Sequence, residues 1–199
     1  MGGSPKNGIE DLKFSPFTVA IDTREQFPFG FTGLKEGAKR SPLVVRTQLM
    51  GLKSGDYSIV GHEDQISIER KSLEDLYGTL TRGRDRFERE LERLQLMKFS
   101  AVVVEASWTI TCLRPPERSQ VLPKTIYRSI LAYMQRYPRT HWMMCDTRRF
   151  AEITTYRTLE RYWTDQIVKP AAESRRQQRI SNRADGSEHN ACINSSSAK

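Results

Sequence analysis

The sequence predicts an α/β fold, with helices flanking a central sheet in a single domain. Three observations predict it. Two short runs, 56–60 and 65–71, are separated by Gly61-His62-Glu63-Asp64 and read as paired strands, the second with β-branched Ile66 and Ile68 alternating with polar residues. Residues 99–105 are almost continuously apolar, the signature of a strand buried on both faces. Helical periodicity stands before and after that strand, and such alternation builds a layered α/β sheet.

The elements follow in order. Residues 1–14 are rich in Gly, Ser, Pro and Asn and read as a flexible lead. Phe17-Thr18-Val19-Ala20-Ile21 is the first core strand and ends at Asp22. Residues 27–42 read as a loop, in which Phe27, Phe29 and Phe31 cover core or form a hydrophobic lip. Residues 43–47 are a second strand, and Ser54-Gly55 turns the chain into the paired strands. Ser72 is a good N-cap, followed by acids in the first turn of a helix over 73–80. A second helix spans 86–98, with Phe87, Leu91, Leu94 and Met97 at core spacing. Trp108 is read as core, and 114–118 as a loop. Pro123 opens a helix that Pro138 closes. Residues 140–145 form the last strand, and Asp146-Thr147 cap a long helix to about Lys169. The domain thus covers 15–170, and 171–199 form a basic, polar, disordered tail that includes Arg175, Arg176, Arg179 and Arg183.

Composition narrows the partners. The 199 residues carry 32 Lys and Arg against 24 Asp and Glu, a net charge of +8, which favours a polyanion. No apolar run approaches the roughly 18 residues of a membrane span, and no signal-peptide core opens the chain. Cys112, Cys145 and Cys192 lack metal-ligand spacing and read as reduced thiols of an intracellular protein.

The chemistry concentrates between Gly55 and Asp75. On a strand, Glu69 and Lys71 share one face and Arg70 takes the other. Asp75 lies about one turn into the next helix, back towards the strand end. Magnesium takes oxygen ligands and is commonly held by one or two carboxylates, which Asp56 and Glu69 can supply. Lys71 on the Glu69 face can orient an attacking water or offset charge developing on phosphorus. The pattern therefore reads as a metal-dependent phosphodiester-cleaving site, with a solvated strand face as the plain alternative. Arg82, Arg84 and Arg86, just past the helix, are candidates for backbone-phosphate contacts.

Gly55-Asp56, then Glu69-Arg70-Lys71, then three residues to Asp75, resembles the GD…ERKxxxD signature of the XPF-type structure-specific DNA endonucleases. Asp22-Thr23-Arg24-Glu25 after an apolar strand resembles the D-x-R-E found upstream in that family. The resemblance implies a restriction-endonuclease-like central mixed β-sheet flanked by helices, and a Mg²⁺- or Mn²⁺-dependent nuclease acting on branched or flapped DNA in repair, recombination or replication. It carries Asp22, Asp56, Glu69, Lys71 and Asp75 over as catalytic residues, with Asp56, Glu69 and Asp22 as metal ligands. Arg70, Arg24 and Glu25 become supporting residues, and Glu105 a metal or supporting candidate. No helix-hairpin-helix module follows and no helicase-like region precedes, so a homodimer or a DNA-binding partner protein would supply the second DNA surface. A non-catalytic DNA-binding subunit is the alternative within the same fold, and an RNA-directed nuclease a weaker one. The expected location is the cytoplasm or nucleoid for a prokaryotic or viral chain, and the nucleus for a eukaryotic one.

Overall fold

The computed structural model describes residues 12–117 and 119–178. These fall into two compact units, Met1–Leu159 and Glu160–Lys199. Most of the lead, Arg118 and the tail residues Arg179 and Arg183 lie outside the described residues.

The first unit is built on a seven-stranded mixed sheet of order β2-β3-β1-β4-β5-β6-β7. The strands are β1 (Lys13–Asp22), β2 (Lys35–Glu36), β3 (Ser41–Met50), β4 (Tyr57–Ile59), β5 (Ile66–Lys71), β6 (Phe99–Val104) and β7 (Thr140–Met144). β1 runs parallel to β3 and antiparallel to β4. β4 and β5 form the expected antiparallel hairpin, and β5, β6 and β7 run parallel. The helices are α1 (Leu73–Thr79), α2 (Arg84–Leu94), α3 (Trp108–Leu113), α4 (Pro123–Arg136) and α5 (Arg148–Tyr162).

Each sheet face has its own filling. On one face, Val102 and Val104 of β6 pack with Leu76, Leu80, Phe87, Leu91, Leu94, Ile126, Ile130 and Tyr133 of α1, α2 and α4. On the other, Phe29, Phe31, Tyr57, Phe17 and Tyr156 form a chain of ring contacts. Stacked and edge-to-face rings each add about 0.5–1.5 kcal/mol beyond their buried area. The first-turn chemistry of α1 is as its sequence requires: the Ser72 hydroxyl accepts the Asp75 N–H at 3.1 Å. Such a cap contributes about 1 kcal/mol.

Some elements depart from their local sequence signals. β1 begins at Lys13, inside the stretch read as lead, because Lys13 and Phe14 pair with Leu43 and Val44 across the sheet. Alternation within 12–16 is too weak to announce a strand; the partner β3 makes it one. β2 and α3 went unmarked because each is only a few residues long. Trp108 is not core: it is 36 % exposed at the start of α3, edge-to-face with Tyr127. Of the three loop phenylalanines, Phe29 and Phe31 are buried and Phe27 is 67 % exposed.

After α5 the chain stays helical through residue 178, past Pro170 and into the stretch read as tail. A π-helical segment, Trp163–Val168, lies directly ahead of Pro170, where the missing N–H and the ring interrupt the regular ladder. Asp165 bridges Arg161 and Lys169 at helical spacing, and these pairs support that stretch locally. Among the described residues, no helix is long and apolar enough to cross a membrane.

Candidate active site

Gly55 sets the geometry of the hairpin entrance. Its φ of +70° is a left-handed conformation, and a Cβ there would fall 2.1 Å from Ser67 Oγ and 3.0 Å from Ile68 O. Only glycine fits. The next residue is then fixed by backbone: Asp56 N–H donates to Ile68 O at 2.8 Å, and Asp56 O accepts the Asp22 N–H at 2.9 Å. The three segments that carry Asp22, Asp56 and Glu69 are thus tied side by side by main-chain bonds.

The resulting cleft has a volume of about 310 Å³, and Asp22, Asp56, Glu69, Asp75 and Glu90 reach it together with Arg24, Lys71 and Arg86. Asp56 Oδ2 accepts the Arg70 N–H at 2.7 Å. Burial pushes the Asp56 carboxyl well above its ordinary range, the neighbouring Glu69 adds to this, and the Arg70 N–H and Lys71 offset only part. Burial likewise raises Glu69, although its salt bridge to Lys71 counters it. Burial lowers the Lys71 ammonium, but Glu69, Asp56 and Asp75 outweigh that and hold it charged. The ammonium also lies 5.4 Å from the Phe87 ring centroid.

Asp22 is differently employed. It is 1 % exposed, and all its acceptor capacity is engaged. Oδ1 accepts from Arg24 N and Nε at 2.8 and 2.7 Å, and Oδ2 from Arg24 Nη2 and Leu52 N at 3.0 and 2.7 Å. Burial raises its carboxyl, but these bonds win and hold it below the ordinary range. Asp75 is exposed at the cleft edge, with Oδ2 accepting the Ser72 hydroxyl at 2.9 Å.

Arg70 faces the opposite side of β5, as strand alternation requires. Its guanidinium donates to Glu105 at 2.7 Å and to Glu25 at 3.3 Å, and lies over Phe29. Arg148 of α5 also donates to Glu105, at 2.9 Å. Glu25 and Glu105 therefore belong to a buried ionic network behind the cleft rather than to the cleft itself. Of the three arginines after α1, Arg86 lines the cleft and Arg82 lines a separate groove. Arg84 turns away, donating to Ser129 Oγ at 2.6 Å and to Leu80 O at 3.3 Å.

Glu90 belongs to no motif in the sequence, yet it lines the cleft. Glu90 Oε1 accepts the Gly55 N–H at 2.8 Å, and Oε2 pairs with Arg93. Arg93 in turn donates to Ser54 Oγ at 3.0 Å, and Ser67 Oγ donates to Ser54 O at 2.7 Å. The turn before Asp56 is thus held from α2 and from β5 at once. The only local signal for Glu90 is its position beside the buried Phe87–Leu91–Leu94 stripe.

The donor set suits a hard divalent cation. Asp56 and Glu69 are two buried carboxylates that repel each other, a charge imbalance that a cation cancels. Among the described residues no three His, Cys, Asp or Glu side chains gather around one point. Magnesium does not require such a cage, since it usually keeps several waters and takes one or two carboxylates.

A mixed sheet with an acidic, lysine-bearing cleft at its central hairpin defines a restriction-endonuclease-like α/β domain. The ERCC4 domain matches residues 21–156, so the chain belongs to that family of nuclease domains. No curated protein matches the chain. Among solved structures, it is similar in fold to XPF from Aeropyrum pernix, with a TM-score of 0.53 and 20 % identity over 78 % of this chain and 69 % of that one. It is also similar to XPF from Aeropyrum pernix in complex with DNA, with a TM-score of 0.51 and 22 % identity over 75 % of this chain and 66 % of that one.

Proposed function

We propose that this chain is a Mg²⁺- or Mn²⁺-dependent DNA endonuclease that hydrolyses phosphodiester bonds in branched or flapped DNA, in repair, recombination or replication. One observation carries the reading: two buried carboxylates, Asp56 and Glu69, meet a charged Lys71 in one cleft of an ERCC4-family domain. DNA as the polyanion is supported by the net charge of +8 and by the likeness in fold to the Aeropyrum pernix XPF in complex with DNA.

Asp56 and Glu69 would hold the ion through oxygens turned to the cleft. When bound, the ion supplies Lewis-acid stabilisation of charge at the scissile phosphate and of the leaving 3′-oxygen. Lys71 keeps its proton beside Glu69, so it acts as a fixed cation that orients the attacking water or the phosphate oxygens. Asp75, at the far edge, adds to the field that keeps Lys71 charged. Arg24 is 66 % exposed and holds both oxygens of Asp22. A phosphate is a competing bidentate partner for that guanidinium, and its arrival would leave Asp22 with only the Arg24 and Leu52 N–H donors, opening one lone pair on each oxygen towards the ion. The Arg70 network holds β5 from behind and keeps the Arg70 N–H on Asp56.

The test is cleavage of a labelled panel of single-stranded, duplex, splayed, flapped, nicked and four-way DNA with Mg²⁺ or Mn²⁺. EDTA, Asp56→Asn and Glu69→Gln serve as controls. Metal-dependent cutting that both variants lose, with DNA binding retained, is expected. Undiminished cutting by the folded double variant would refute the assignment. One observation favours a second reading, a non-catalytic DNA-binding subunit: Arg24 and the Leu52 N–H together occupy the acceptors of Asp22. Binding without cutting across the panel, and no metal-induced stabilisation, would select it. The chain is proposed to work as a homodimer or with a DNA-binding partner protein inside the cell, and sedimentation with and without DNA measures the first.

A further inference from the structure

We propose that the DNA strand continuing beyond the cut site leaves the acidic cleft over Gly78 and enters a second groove, where Arg82 meets its phosphates. The proposal rests on the nuclease reading above and adds the path of the substrate.

Gly78 is the penultimate residue of α1 and lines both spaces. The second groove has a volume of about 490 Å³, and Thr81, Arg82, Ser119 and Gln120 are among its walls. Glycine is a poor choice within a helix, because it exposes backbone and loses more freedom than alanine on folding. Neither of the usual reasons applies here. Gly78 is not among the residues with positive φ, and a Cβ added to it would meet no atom within 4 Å. Gly55 is the contrast, since there φ and contact both demand glycine. At Gly78 neither backbone conformation nor contact requires glycine. The open space above the helix is what the glycine provides, and that space is the saddle between cleft and groove.

Two grooves that share Gly78 as a wall fit a chain rather than a compact ligand. The Ser119 hydroxyl and the Gln120 amide suit a sugar–phosphate backbone, which is bound mostly by such groups and by arginine, whereas the Thr81 hydroxyl already donates to Tyr77 O at 2.7 Å. Arg82 is exposed and forms no hydrogen bond or ion pair among the described residues, so its guanidinium is available to a phosphate. Glu74 on the same groove disfavours phosphate at its own position and leaves the Arg82 side for it. Tyr77 is no stacking platform: it is buried, and its hydroxyl donates to Thr111 O at 2.8 Å.

The experiment uses the full chain and labelled branched DNA whose arm beyond the cut site is lengthened stepwise. For the natural protein, KM is expected to fall with arm length until the groove is filled. Gly78→Leu is expected to lose that dependence, its KM on long arms rising at least about tenfold, the scale of one charge-assisted phosphate contact. Gly78→Ala should fall between the two, with a denaturation midpoint at or above that of the natural protein. Arg82→Ala should reduce the slope of log affinity against log salt by about one. A Gly78→Leu protein with the natural length dependence would overturn the proposal. So would a Gly78→Ala protein less stable than the natural one, because the glycine would then serve the fold. If the natural protein neither binds nor cuts DNA, the nuclease reading falls and this path with it. If it cuts and Gly78→Leu matches it, the path alone falls.

Discussion

Replacing Gly55 by alanine tests how the turn before Asp56 is built. The new Cβ would stand 2.1 Å from Ser67 Oγ and 3.0 Å from Ile68 O, so Ser67 must rotate away or the two segments must part. Rotation breaks the 2.7 Å bond from Ser67 Oγ to Ser54 O in a buried setting. Leaving such groups unpaired costs about 1–3 kcal/mol. Holding alanine in the left-handed region at φ +70° adds about 1–2 kcal/mol. The total, about 2–5 kcal/mol, is a large share of the 5–15 kcal/mol that typically stabilises a domain. Urea denaturation followed by circular dichroism measures it. Ser67→Ala removes the struck oxygen, so the double variant should be less destabilised than the sum of the two single ones. Additive effects, or a Gly55→Ala protein as stable as the natural one, would refute this account of the turn. Cleavage by the variant should fall as well, because Asp56 is the next residue.

Burial and Glu69 raise the Asp56 carboxyl in the folded state, so folding favours its protonated form. The resulting penalty is absent below the unfolded carboxyl value and grows as pH rises through the window up to the folded one. Asp56→Asn, which can still accept the Arg70 N–H, should therefore be more stable than the natural protein at neutral pH. That advantage should vanish on acidification, as paired pH–denaturation curves would reveal. Glu90→Ala should cost about 1–3 kcal/mol by leaving the Gly55 N–H unpaired, while Glu90→Gln keeps an acceptor and most of the stability. Equal losses in the two would remove Glu90 from its role at the turn. Arg70→Met strands the buried Glu25 carboxylate and leaves Glu105 with Arg148 alone, and should cost about 3–5 kcal/mol, checked by thermal and urea unfolding. A loss below about 1 kcal/mol would mean that the network is solvated.

Much of the centre was legible along the chain because its causes are local. The alternation of β5 places Glu69 and Lys71 on one face and Arg70 on the other before any contact is known. The Ser72 cap and the buried stripe of α2 follow from spacing of the same kind. What the sequence by itself determined, then, is the α/β class, the hairpin that carries Asp56, Glu69 and Lys71, and the family motif.

Only the tertiary structure decided how those groups are employed. It closed Arg24 onto Asp22, assigned Arg70 to Glu25 and Glu105, and turned Arg84 towards Ser129. It brought Glu90 to a glycine 35 residues away. It also made a strand of Lys13 and Phe14 through their pairing with β3. One physical reason covers Arg70, Arg84 and Glu90. A charged or polar side chain that leaves water must find partners, and those partners lie on other segments. Periodicity fixes which side a residue faces; the partner it meets there depends on what the rest of the chain packs against that side.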